Sequence, residues 1–461
     1  MRHTAVFFSQ ALTLSSISSR HAPLSISSEQ PGLLRRLGLF DLTAISLNTI
    51  IGSGIFLLPA TVAATVGVWA PLSFVVSGVV SLIFALSFAE AGSRFTNTGG
   101  PYLYARKAFG DFIGFEVAWI FWLSRLAAVG ASYNVFVTYL GLFIPGVTEG
   151  VLRATVITLI VIAVGFPNIR GVKVGSFFTN IFTVAKTVPL ILLTVAGLFV
   201  LDWSRAMSAT ALTSEDFMRS VLIVAFAYGG FELATVPAGE SKDPKKHLPF
   251  ALLISIGGAA ILYILLQFTA YGLFPALGTS QRPLADAASV IIGGQGATLI
   301  AIGALVSTCG YIFGGSLVIP RLTYALAEQG QLPLLFGRIH RAFRTPWVSI
   351  VFHAVVTWLL AVGLSFFSLV IINVLARLVV TGLTCAAVMK LRKSSPERAV
   401  FQMPLGPTVP VLGILFVLYL LIFQTKPNEL LYGGAALGVG SLLYLPMRSL
   451  VSKRRNPASL T

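Results

Sequence analysis

Apolar residues fall in blocks of about 20 from Leu39 to Met447, and polar or charged residues gather in the short stretches between them. An apolar helix of that length matches the hydrocarbon thickness of a bilayer. The pattern predicts twelve membrane helices, at residues 39–66, 70–92, 110–141, 151–167, 175–200, 216–237, 250–274, 294–325, 347–364, 367–389, 408–424 and 429–447. Residues 1–38 are Ser-rich and weakly patterned, and they read as a disordered cytoplasmic tail. Their apolar stretch from Ala5 to Leu14 has no A-x-A site after it, which argues against a cleaved signal peptide.

Composition supports this class. Hydrophobic residues make up 56% of the 461, charged residues only 10%, and the mean hydropathy is +0.88. A water-soluble domain needs far more charge to cover its surface, whereas lipid-facing side chains should be apolar. Cys309 and Cys385 both lie in apolar runs and offer neither a disulfide framework nor a CxxC metal pattern. The five histidines are scattered, there is no Walker loop, and no metal or cofactor is expected. The net charge of +16 is distributed by topology. Most of the 32 basic residues fall in even-numbered gaps or the two tails: Arg94, Arg106, Lys107; Arg170, Lys173; Lys242, Lys245, Lys246; Arg321, Arg338, Arg341, Arg344; Lys390, Arg392, Lys393, Arg398. The other side holds Arg153, Arg205, Arg219, Arg282 and Lys426. The positive-inside rule then orients both termini, including residues 448–461, toward the cytoplasm of a cell whose inner or plasma membrane the bundle crosses. Anionic lipid, and not nucleic acid, is the expected partner of this charge.

Two of the twelve stretches are poor helices. The first carries Gly52-Ser53-Gly54 near its centre with Pro59 about a turn later. Small residues there can serve close helix packing, or they can unwind the helix and leave N–H groups at a positive dipole end that attracts a carboxylate. The sixth reads Val224-Ala-Phe-Ala-Tyr-Gly-Gly-Phe-Glu232, again with glycines at the centre. The two lie five spans apart, each opening a set of five. Matching interruptions in two halves are the sequence pointer to an inverted-repeat transporter, and an odd repeat inserts the second half upside down. Such breaks face each other at midplane and suit a molecule bearing both a carboxylate and an ammonium.

These segments carry a resemblance. Gly52-Ser-Gly-Ile-Phe-Leu-Leu-Pro59 resembles the first-helix motif of the amino acid–polyamine–organocation superfamily. Ser93-Arg-Phe-Thr-Asn-Thr-Gly-Gly-Pro-Tyr-Leu-Tyr104, Phe231-Glu232 with Gly239-Glu-Ser-Lys-Asp-Pro-Lys-Lys-His-Leu-Pro249, and Arg321-Leu-Thr-Tyr-Ala-Leu-Ala-Glu-Gln-Gly-Gln-Leu-Pro333 are similar to its loops, in the same order. The resemblance implies an all-α integral membrane protein with a LeuT-type fold: two inverted repeats at 39–200 and 201–392, discontinuous first and sixth helices, and two further helices at 393–447. It implies that backbone at Gly52, Ser53 and Gly54 holds a substrate carboxylate. Carbonyls of Ile50, Phe226, Ala227 and Gly229 would receive the ammonium, Phe226 would cap the side chain, and a bare Gly229 would leave it room.

Five ionisable residues interrupt the apolar stretches: Glu116, Arg125, Lys186, Glu232 and Arg377. Each costs several kcal/mol in lipid unless paired or hydrated, so each is a functional candidate. Glu116 and Arg377 are read as snorkelling from span ends. Lys186 lies deep in an otherwise uncharged helix, at a position that in proton-driven relatives resembles a fixed substitute for a sodium ion. It couples protons or braces the first helix. Glu232 senses protonation at a gate, or pairs with Arg125.

The leading reading is a secondary transporter of amino acids, by proton-coupled symport or exchange. A cationic amino acid or polyamine antiporter is the alternative within transport, although Glu232 is the single central carboxylate available to a dication. A transport-deficient nutrient sensor would add a signalling domain, and no loop exceeds about thirty residues. A membrane enzyme would need paired carboxylates or a nucleophile and base, which the spans lack.

Overall fold

The computed structural model describes residues 37–95, 99–170, 176–207, 212–394 and 398–455, with side chains omitted at 176–181, 205–206, 237–240, 432 and 446–455. The expected N-terminal tail up to residue 36, residues 96–98 of the second motif, Lys173 and the last six residues lie outside the described part. Among the described residues the regular structure is helix, apart from one isolated bridge between Leu37 and Ser241.

The first expected span is two helices, α1 (Leu39–Ile50) and α2 (Gly54–Val66), and α3 (Ala70–Ser93) follows a 3-10 turn at Gly67–Trp69. Next come α4 (Pro101–Phe109), α5 (Asp111–Leu140), α6 (Gly150–Arg170), α7 (Ser176–Val200), the single turn α8 (Trp203–Ala206) and α9 (Ser214–Val224). An irregular stretch at 225–230 leads into 3-10 helix at Phe231–Glu240. The chain continues with α10 (Pro244–Leu273), α11 (Pro283–Ile292), α12 (Gly294–Val318), α13 (Pro320–Glu328), α14 (Trp347–Gly363), α15 (Phe366–Ser394), α16 (Thr408–Phe423) and α17 (Pro427–Arg455).

Local chemistry accounts for several ends. Proline occupies the first turn of α3, α4, α10, α11 and α13, where its missing N–H costs nothing. The Thr213 side chain caps α9 by accepting the Asp216 N–H at 3.1 Å. Between α4 and α5 the chain turns through Gly110 at φ +93°, a conformation that side-chain-bearing residues resist.

Helix covers every stretch that the sequence pattern marks, but length and apolarity alone qualify fewer as membrane-crossing. Among the described residues seven stretches pass by themselves, or eight if α16 and α17, set at 116°, form one span. The lower number has physical causes. α1 and α14 have only 12 and 17 residues, the sixth stretch is interrupted, and α2 runs on through the 3-10 turn into α3 as a 40-residue stretch. The fold is therefore an all-helical, multi-pass membrane protein.

Its outside is apolar: α6 exposes Leu159, Ile162 and Phe166, as a lipid-facing helix does. Polar side chains turn inward and pair across helices, as Ser46 with Ser255 at 2.6 Å and Ser73 with Ser220 at 2.5 Å. α10 packs along α3 and α1, α15 along α5, and α12 along α5 and α7. The two interruptions lie inside this packing.

Candidate functional site

At the first break Ile51 leaves the helical region with ψ +74°, and the Gly52 N–H donates to the Ile50 carbonyl at 2.7 Å. Helix resumes at Gly54, so the orphan N–H groups of α2 begin in the middle of the protein. At the second, Gly230 takes φ +113°. The two breaks touch. A Cβ built on Gly54 would lie 2.8 Å from Phe226 Cδ1 and 3.2 Å from Ala227 Cα, and one on Gly230 would lie 2.3 Å from the Thr49 carbonyl oxygen. Glycine is required at both places by close approach, and at Gly230 by backbone geometry as well.

Unwound backbone in a membrane interior needs partners from neighbouring side chains. Tyr263 of α10 donates to the Ile50 carbonyl at 3.0 Å, and Ser307 of α12 to the Ile51 carbonyl at 3.3 Å. Ser132 of α5 donates to the Ser53 hydroxyl at 3.1 Å. Lys186 of α7, fully buried, donates to the Asn48 carbonyl at 2.5 Å. On the second break, Arg377 of α15 donates to the Ala225 carbonyl, and the Gly230 N–H donates to Glu232 Oε2 at 3.0 Å. Glu232 Oε1 lies 3.0 Å from Arg125 Nη2, with both side chains at most 2% exposed.

Between the breaks is a small cavity: about 260 Å³ around it is free of atoms, of which about 20 Å³ admits the centre of a water molecule. Of the residues singled out from the sequence, Ile50, Gly52, Ser53, Gly54, Phe226, Gly229 and Arg125 line it. Ala227 does not line it, and packs behind against Gly54. Lys186 and Glu232 stand outside the lining, each holding one break. Phe226 meets Phe366 edge to face at 6.0 Å. Among the described residues no three of His, Cys, Asp or Glu gather into a metal-ligand set.

Three sequence readings need correction. Arg377 does not snorkel: it is 4% exposed and reaches into the bundle, because the second break leaves a carbonyl for it to satisfy. The space over the bare Gly229 is filled by its guanidinium, since a Cβ there would lie 2.1 Å from Nη1. Glu116 is likewise buried between α5 and α17, where it accepts from Ser441 at 3.0 Å. Sequence reasoning also missed Thr49, Ala128, Tyr311 and Asn373 in the lining. Asn373 and Arg377 sit four residues apart in the otherwise apolar run 369–380, a spacing that puts both on one face and is visible in the sequence.

The amino acid permease family matches residues 37–434, which takes in both breaks and the cavity.

The chain belongs to the amino acid permease family.

Among relatives of this permease, the serine/threonine exchanger SteT of Bacillus subtilis is 29% identical over 399 residues, covering 84% of this chain and 90% of its own. The methylthioribose transporter of the same organism is 29% identical over 91% of this chain and 95% of its own length. The branched-chain amino acid permease BcaP, also from that organism, is 29% identical over 87% and 90%. The family is one of transporters and not enzymes.

Proposed function

We propose that this permease carries amino acids by alternating access around the cavity between the two helix breaks. The observation that carries the reading is the contact of the breaks themselves, Gly54 against Phe226 and Gly230 against Thr49, around a buried polar space. The orphan N–H groups at the start of α2, with their positive dipole end, receive the α-carboxylate at Gly52, Ser53 and Gly54. The ammonium goes to carbonyls of the breaks at Ile50, Phe226 and Gly229, and Phe226 closes over the substrate. In this reading the chain has twelve spans: a LeuT-type pair of inverted repeats at 39–200 and 201–392, and two added helices at 393–447. Both termini face the cytoplasm, and the cell membrane is the site of action.

Lys186 couples transport to protons or stands as a fixed cation beneath the first break; its bond to the Asn48 carbonyl supports both roles equally. The Arg125–Glu232 pair gates the inner side, since breaking it would leave a buried charge exposed to the substrate path. The name of the serine/threonine exchanger favours exchange as the mode, and that of the branched-chain permease keeps net uptake as the second.

Uptake into liposomes carrying the purified protein tests this. Labelled serine, leucine, aspartate, glutamine and lysine are each offered with an inward proton gradient and, separately, with unlabelled substrate inside. Uptake that needs internal substrate assigns exchange, and uptake that follows the proton gradient assigns symport. Folded protein that moves none of them refutes the reading.

A further inference from the structure

The charges at the cavity do not cancel: Arg125 lines it, and Arg377 and Glu232 stand just outside its lining. Arg125 and Arg377 share one carboxylate, Glu232, which is already committed to Arg125 at 3.0 Å and to the Gly230 N–H. Arg377 spends Nη2 on the Ala225 carbonyl, whereas Nη1 is buried with no hydrogen-bond partner. That atom is packed over Gly229, which lines the cavity, and Arg377 lies one helical turn after the lining residue Asn373, just outside the lining itself. The Asn373 amide NH2 donates to the Ser124 carbonyl at 2.6 Å, and no hydrogen bond joins Asn373 to the guanidinium Nη1. A buried donor on a cation is costly to leave unmade, and an oxygen acceptor bearing negative charge is its strongest complement.

We propose that this permease selects amino acids whose side chain ends in a carboxylate or amide oxygen, received by Arg377 Nη1 beside Gly229. The inference rests on the amino acid reading above and narrows it. The α-carboxylate occupies the start of α2, the side chain crosses toward α15, and its terminal oxygen completes the guanidinium. Branched aliphatic side chains leave Nη1 unsatisfied. Lysine, arginine and polyamines bring a further positive charge to a cluster that already has a surplus of one, which argues against the cationic alternative.

Thermal unfolding of the detergent-purified full chain tests the assignment. Aspartate, glutamate, asparagine and glutamine are added separately at millimolar concentration, next to serine, leucine and lysine, with sodium acetate at matched ionic strength as an anion control. The proposal expects the first four to raise the midpoint, leucine, lysine and acetate to leave it unmoved, and serine to fall between. The carboxylate and amide arms show which oxygen is preferred. Arg377→Gln should weaken the favoured ligand about 10–100-fold, as loss of a charge-assisted hydrogen bond does. Arg377→Lys, which keeps a cation and a donor to Ala225, should lose less. Should Arg377→Gln fail to fold, the wild-type panel and the lysine variant still decide. Stabilisation by leucine or lysine as strong as by aspartate and glutamine overturns this inference and leaves the amino acid reading standing. Equal stabilisation by acetate overturns it too. If no amino acid stabilises a folded protein, the amino acid reading fails, and this inference with it.

Discussion

Two glycines and one ion pair decide most of what happens at the cavity. Gly230 adopts φ +113° with the Thr49 carbonyl directly over it, so Gly230→Ala should lower stability by more than about 1 kcal/mol. Thermal unfolding in detergent checks this, and an unchanged midpoint would mean that the breaks are not in contact. Arg125→Ala strands the Glu232 carboxylate in the protein interior and should cost about 3–5 kcal/mol. Removing both charges with Arg125→Leu and Glu232→Gln together should recover most of that loss, whereas an additive double loss would deny that they act as a pair. The sequence named all of these residues, because glycine in an apolar stretch and charge in an apolar stretch are each rare enough to stand out. Arg377 was named and misassigned. Its distance from a span end is all that the sequence shows, and nothing local tells that the backbone four spans earlier has unwound to meet it.

At the scale of single helices, the breaks persist because neighbouring helices hold them open. Tyr263, Ser307 and Lys186 come from three different helices, and each satisfies a carbonyl at or just before the first break. Tyr263→Phe should cost about 1 kcal/mol by orphaning one share of the Ile50 carbonyl, and its effect on transport should exceed its effect on expression. Measuring both on one preparation tests this; equal losses would make Tyr263 a packing residue only. Lys186→Ala should abolish the response of uptake to a proton gradient, and uptake that is unchanged with and without the gradient would end the coupling role. The elements themselves were largely legible. Apolar run length located each helical stretch, and Gly-Ser-Gly and Gly-Gly located the breaks. The short helices α4, α11 and α13 are not legible as separate elements: at nine or ten residues α4 and α11 are too short to mark a span, and α13 runs on from α12 within one apolar stretch.

For the whole molecule, the sequence yields the membrane class, the order of helices and the positions of the two breaks, but not their mutual contact. That contact joins residues about 180 positions apart, and no local pattern carries a distance of that kind. It is also what turns two weak stretches of helix into a binding site, and it is where the account is most exposed. The direct test is equilibrium binding of labelled serine, aspartate, glutamine and leucine to purified wild type and to Gly54→Val, with a monodisperse elution profile required of both. A valine at 54 drives its side chain into Phe226 and closes the start of α2, so the favoured ligand should bind at least about tenfold more weakly. Full affinity in a folded Gly54→Val protein would contradict the account, because the amino acid would then be held somewhere other than between the two breaks.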